Sequence, residues 1–277
     1  MDSYVNGFLA SLDEKGYSPN TVQAYRNDLR RLTSFLVSKG KTDWNCVNKS
    51  DVSAFLKLQK RRGNSDATAR RRAISATSFF RFLVVTGVCQ TSPLNNFRPA
   101  KPAPEFTKPI SERAIKKLLA TPTRDNRLAA RRDEAILTLL YETGMQVSEL
   151  VSLDLECIRF QVGEVASVHY SGKKGRDIPI SDEACRRIEV YLNTSRPYLT
   201  RHNSQTATLF VDQKGTPLTR QGVWFILKGY ARSAGIGNIS TRTLRISRET
   251  HLLASGTPLR TVREMLGQCH FSAKPNH

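Results

Sequence analysis

Residues 242–277 read RTLRISRETHLLASGTPLRTVREMLGQCHFSAKPNH. Arg242, Arg245 and Arg248 recur every third residue, which predicts one side of a helix carrying a stripe of guanidinium groups suited to gripping phosphate. Thr257-Pro258 supplies a cap and a first-turn proline for a last helix running to Leu266. Gln268 follows, a side chain that cannot shuttle a proton, then His270, then His277 on a tail containing Pro275. From these residues alone the segment is better suited to holding an anion than to acid–base work.

The rest of the chain carries the same bias. Its 277 residues hold 43 Lys and Arg against 24 Asp and Glu, a formal charge of +19. The first 100 residues have 16 basic and 7 acidic side chains, and the remainder 27 and 17. A charge spread over both halves predicts folded basic surfaces rather than a basic tail, with double-stranded nucleic acid as the simplest partner. No apolar run approaches the ~20 residues that a membrane span needs, and Asp2 and Asn6 interrupt the start, so no signal peptide is visible. Cys46, Cys89, Cys157, Cys185 and Cys269 are scattered without CxxC spacing. They predict free thiols in a reducing cytoplasm and no metal site; no cofactor is expected.

Residues 1–97 predict a bundle of four helices. Val5, Phe8, Leu9 and Leu12 mark the first, and Ser18-Pro19 opens a second with Val22, Tyr25, Leu29, Leu32 and Leu36 on one face. Val52, Phe55 and Leu56 mark a third. A fourth starts at Ser65 and carries Arg70, Arg71 and Arg72 in its first turns, placed to touch phosphates. Residues 98–109, RPAKPAPEFTKP, hold four prolines and predict a semi-rigid linker. Residues 110–277 predict a second domain: helices near 111–119, 133–141 and 147–153, a β-hairpin over 165–180, a helix with Ala184 and Ile188 inside, a short strand Leu209-Phe210-Val211, and a helix capped by Thr219. The fold class expected is mainly α with a small β-sheet.

Both ends of the chain resemble the tyrosine recombinases, the phage-integrase family in its Xer-like branch. That family opens on FL-x-x-L-x-x-x-K-G-x-S-x-N-T-x-x-x-Y-x-x-D-L. Phe8-Leu9, Leu12, Lys15-Gly16, Ser18, Asn20-Thr21, Tyr25 and Asp28-Leu29 match it. It closes on H-x-L-R-H-T, T-H-L-L-x-x-G, L-G-H and a tyrosine about nine residues on. Leu244-Arg245, Thr250-His251-Leu252-Leu253, Gly256 and Leu266-Gly267 match there. The resemblance implies an N-terminal helical SAM-like core-binding domain that clamps duplex DNA and a recombinase-type catalytic domain.

In the family a tyrosine attacks a DNA phosphate. Arginines stabilise the charge that builds up, a hairpin lysine and histidines move protons, and the covalent link conserves bond energy. On this pattern Lys173 and Arg245 match, whereas Gln146 stands for the first arginine in Thr143-Gly144-Met145-Gln146-Val147-Ser148-Glu149-Leu150. Arg242 and Gln268 stand for the histidines, and His277 for the tyrosine, with the family's final helix absent after it. His270 could replace a histidine only with a slip of two residues. The resemblance also puts Lys173, Lys174 and Arg176 on a DNA-facing hairpin, beside Arg242, Arg245 and Arg248.

Three expectations follow. The first is a catalytically inactive recombinase homologue clamping duplex DNA for a regulatory, replication or maintenance role, cytoplasmic and nucleoid-associated, with a second copy or a homologous recombinase as further partner. The second is an active site-specific recombinase using a non-standard nucleophile such as His277, a partner-supplied tyrosine, or a longer native chain. The third is a protein that occupies a slot in an active recombinase's ring without binding DNA itself.

Overall fold

The computed structural model describes residues 1–95, 97, 107–124, 127–159, 166–171 and 175–268. The chain forms two compact units, Met1–Glu105 and Phe106–His277. It is mostly helical with one small sheet.

The first unit contains α1 (Asp2–Glu14), α2 (Pro19–Ser38), α3 (Lys49–Arg61) and α4 (Asp66–Val85). Each of the last three starts on a side-chain cap. The Thr21 amide donates to Ser18 Oγ at 3.2 Å, and the Thr68 amide to Ser65 Oγ at 3.2 Å. Asn48 and Asp51 cap one another reciprocally at the start of α3. The apolar faces meet in a core that includes Phe8, Leu29, Leu36, Phe55, Phe79 and Phe80, all buried. The sequence pattern gave no sign of Trp44. It sits in a 3₁₀ turn, Trp44–Cys46, and packs edge-on against Phe79 with ring centroids 4.7 Å apart. Its indole N–H donates to the Met1 carbonyl at 3.2 Å.

The second unit is built on α6 (Leu128–Thr143), with buried side chains along most of its length. Around it lie α5 (Glu112–Ala120), the short α7 (Val147–Leu150), α8 (Asp182–Val190), α9 (Arg196–Leu199), α10 (Arg220–Ser233), α11 (Thr241–Ala254) and α12 (Leu259–Met265). A π-helical turn, Tyr191–Ser195, joins α8 to α9. The sheet has strands β1 (Ile158–Arg159), β2 (Ser167–Tyr170) and β3 (Arg176–Pro179), antiparallel in that order. Val168 pairs with Ile178 on the buried face, and the next pair, His169 with Asp177, lies on the other.

The expected strand Leu209-Phe210-Val211 does not form. Among the described residues Val211 makes only an isolated bridge to Pro217, and Thr208 one to Asp154. All three apolar side chains are nonetheless fully buried, so their hydrophobicity reports burial rather than strand pairing. The turn of the expected hairpin, Gly172-Lys173-Lys174, lies outside the described residues, as does most of the proline-rich linker.

Candidate functional site

In the second unit, α6 ends on Gly144 in the left-handed conformation, φ 57°. A side chain cannot be added there cheaply, because a Cβ would lie 2.3 Å from Leu266 Cδ2. The chain then turns through Met145 and Gln146 into α7, and Glu149 Oε2 accepts the Gln146 amide at 2.7 Å. Two arginines lock this turn to the end of α12. From β3, Arg176 donates to both Glu149 oxygens at 3.0 Å each and to the Met265 carbonyl at 2.9 Å. From α11, Arg245 donates to the Gly144 carbonyl at 2.8 Å and to the Leu266 carbonyl. Burial opposes the charge of Glu149. The hydrogen bonds from Arg176 and the Gln146 amide, with Arg176 and Arg245 as neighbouring charges, outweigh it and hold the carboxyl below its ordinary range. Burial also pulls the Arg245 guanidinium down, which Glu149 partly offsets; an arginine remains cationic through such a shift.

These ties shape an open cleft of about 570 Å³ in which Gln146, Arg242, Arg245, Glu249 and Gln268 converge. Four positions singled out in the sequence therefore meet in one place. Lys173, Lys174, His270 and His277 lie outside the described residues. Arg176 is spent on Glu149 and on a carbonyl, with both side chains of that pair only 11% exposed. Arg248 leaves the expected stripe. Six helical residues advance about 600°, so it points roughly 120° away from Arg242. It donates to the Glu142 carbonyl at 2.9 Å and lies over the Tyr141 ring at 5.4 Å. Glu249 was not expected in the cleft, and it places a carboxylate one helical turn beyond Arg245. The Tyr141 hydroxyl, hydrogen-bonded to His251 Nδ1 at 2.9 Å, was likewise missed.

In the first unit, α2, α3 and α4 enclose a basic groove of about 760 Å³. Arg30, Arg31, Arg62, Arg71 and Arg72 line it, with Asp28 as the single carboxylate among the lining residues. The expected row of three arginines is split, since successive helical residues step by about 100°. Arg72 turns inward and is 6% exposed; it donates to Gln59 Oε1, and its Nε lies 3.6 Å from Asp28 Oδ1. Arg71 stays at the groove with 45% of its side chain exposed. Arg70 is half-buried, and its Nε is enclosed without a hydrogen-bond partner among the described residues.

A family model described as "Phage integrase family" matches residues 108–273, and one described as "Phage integrase, N-terminal SAM-like domain" matches residues 5–87. The chain belongs to the phage integrase family. Similar family members include a protein named tyrosine recombinase XerC from Roseiflexus castenholzii (strain DSM 13941 / HLO8), 36% identical over 98% of this chain and 87% of that one. Another is named tyrosine recombinase XerD, from Listeria monocytogenes serotype 4b (strain F2365), 36% identical over 98% of this chain and 92% of that one. Among solved integrase-family structures, the XerH site-specific recombinase bound to palindromic difH substrate aligns with TM-score 0.74 at 18% identity, over 90% of this chain and 73% of that one. A lambda integrase dimer bound to a COC′ core site aligns at 0.72 and 14%, over 98% and 75%. At these identities the structures show a shared fold.

These relatives correct one expectation. The substitutions at Gln146, Arg242, Gln268 and His277 suggested a homologue that grips DNA without cutting it. Integrase-family proteins 36% identical over nearly the whole chain are named tyrosine recombinases, and the reading passes to site-specific recombination.

Proposed function

We propose that this protein acts in site-specific DNA recombination. It holds a duplex site with the basic groove of its first unit and the arginine cleft of its second, and works with further copies of itself or with a homologous recombinase. The observation that carries this reading is the convergence of Arg242, Arg245 and Gln146 in one open cleft, within a chain similar along its length to proteins named recombinases. The substrate places its work at the nucleoid.

The chemistry is phosphoryl transfer. A nucleophile attacks a backbone phosphate, the 5′ oxygen leaves and takes a proton, and the covalent intermediate later returns the phosphate to a new 5′ oxygen. Arg245, oriented by its two carbonyl contacts, and the exposed Arg242 would meet the non-bridging oxygens. Lys173 would serve the leaving oxygen. In our reading most of the reactive positions differ from the family pattern, at Gln146, Arg242, Gln268 and His277. Gln146 offers hydrogen bonds but no charge. Affinity rests on phosphate contacts and falls steeply with salt.

The test is recombination of a supercoiled plasmid carrying two copies of a duplex site selected by the protein, with the protein alone and mixed with a tyrosine recombinase relative. Recombinant circles that need this protein are expected; their absence in both reactions contradicts the proposal.

A further inference from the structure

Among the arginines of the first unit's groove, Arg71 is held differently. Its Nη1 donates to Asp28 Oδ2 at 2.5 Å and to the Ala24 carbonyl at 3.3 Å. Asp28 itself is 2% exposed and is fixed by Ser75 Oγ, which donates to the same Oδ2 at 3.0 Å. The Nε of Arg72 lies 3.6 Å from the other carboxylate oxygen. The buried carboxylate is thus clamped from two turns of α4 and cannot swing. One end of the Arg71 guanidinium is pinned to it. The remaining donors, Nε and Nη2, make no hydrogen bond among the described residues and lie on an exposed side chain lining the groove.

A guanidinium pinned at Nη1 presents Nε–H and Nη2–H as a fixed parallel fork. Phosphates can be met by the exposed Arg30, Arg31 and Arg62 of the same groove, because backbone charge is the same at every base pair. A fork with fixed direction gains most where the acceptor pattern differs between bases. In the major groove, guanine is the one base that offers two adjacent acceptors, O6 and N7, to such a fork.

We infer that Arg71, oriented by the buried Asp28, reads a guanine in the major groove of the target duplex and so determines part of the site's sequence. This inference rests on the proposed function and deepens it: Arg71 is the base-contacting residue, and Asp28 is its positioning residue.

The experiment uses the full chain. A duplex site is selected from a random library, every base pair is then substituted in turn, and binding is measured at fixed salt for wild type, R71A, R71K, D28N and R31A. Wild type is expected to lose about 10- to 100-fold in affinity when one particular G·C pair is changed. R71A and R71K should lose that discrimination and bind all substituted sites within a few-fold of one another at that position, while R31A weakens every site alike and lowers the salt slope. D28N should blur the same preference with smaller loss of overall affinity. R71K keeps a cation beside the buried Asp28 but not the planar fork, so it remains a test even if R71A or D28N disturbs the fold. If R71A keeps the wild-type preference, or weakens all sites uniformly, or loses preference at an A·T pair, the inference is overturned and the recombination reading stands. If wild type binds every duplex equally, both fall.

Discussion

Arg176 holds both carboxylate oxygens of Glu149, at 3.0 Å each, and extends its Nε to the Met265 carbonyl. One side chain thereby ties β3, α7 and the end of α12 around the cleft. Glu149→Gln should leave a nearly buried guanidinium without its counter-charge and destabilise the second unit by on the order of 3 kcal/mol. Urea denaturation checks this, followed by the fluorescence of Trp224, since the other tryptophan, Trp44, lies in the first unit.

The same pair sets a pH dependence. The folded state lowers the pKa of Glu149 below its ordinary 4.5. Its contribution to stability is therefore complete above the ordinary glutamate range and lost as pH falls through the lower folded value. The stability difference between wild type and Glu149→Gln should be constant from pH 7 to about 5 and shrink below about 4.5. A difference that grew on acidification would contradict the assignment.

Gly144→Ala should cost about 1–3 kcal/mol, from the positive φ and from the displacement of Leu266. That displacement also moves the Leu266 carbonyl that Arg245 holds. The variant should lose DNA cleavage more than it loses stability, which a comparison at a temperature where both proteins remain folded will show.

Gln146→Arg restores a cation to the cleft. A charged donor to a developing oxyanion contributes about 2.7–4 kcal/mol. The variant should speed covalent capture of DNA by about 100-fold or more, measured as single-turnover rate. An unchanged rate would place the reacting phosphate away from residue 146.

The helices were legible because apolar residues such as Val22, Leu29 and Leu36 recur at the helical period and polar caps such as Ser18 and Ser65 precede them. Trp44 was not, since a lone aromatic in a polar loop carries no period, yet it packs edge-on against both Phe79 and Phe80 in the first unit's core. Two-residue β1 was too short to leave a pattern. In the site, residue identities were readable and their partners were not. Arg72, Arg176 and Arg248 each looked like an anion ligand, and each is turned toward a carboxylate, an amide oxygen or a carbonyl. Spacing fixes which way a side chain leaves its helix. It does not fix what waits there: Glu149 stood in the family-like turn with no sign of its arginine partner, and Glu249 entered the cleft without any spacing to announce it.

The central claim is that this cleft handles a DNA phosphate in a recombination reaction. The most direct measurement is trapping on a duplex nicked beside the scissile phosphate, so that the cut end is released, followed by a denaturing gel and peptide mass spectrometry. The account predicts a covalent protein–DNA adduct, formed by this protein alone or with a homologous recombinase, that disappears in Arg245→Ala. An absence of adduct under both conditions, or an adduct indifferent to Arg245, would contradict it.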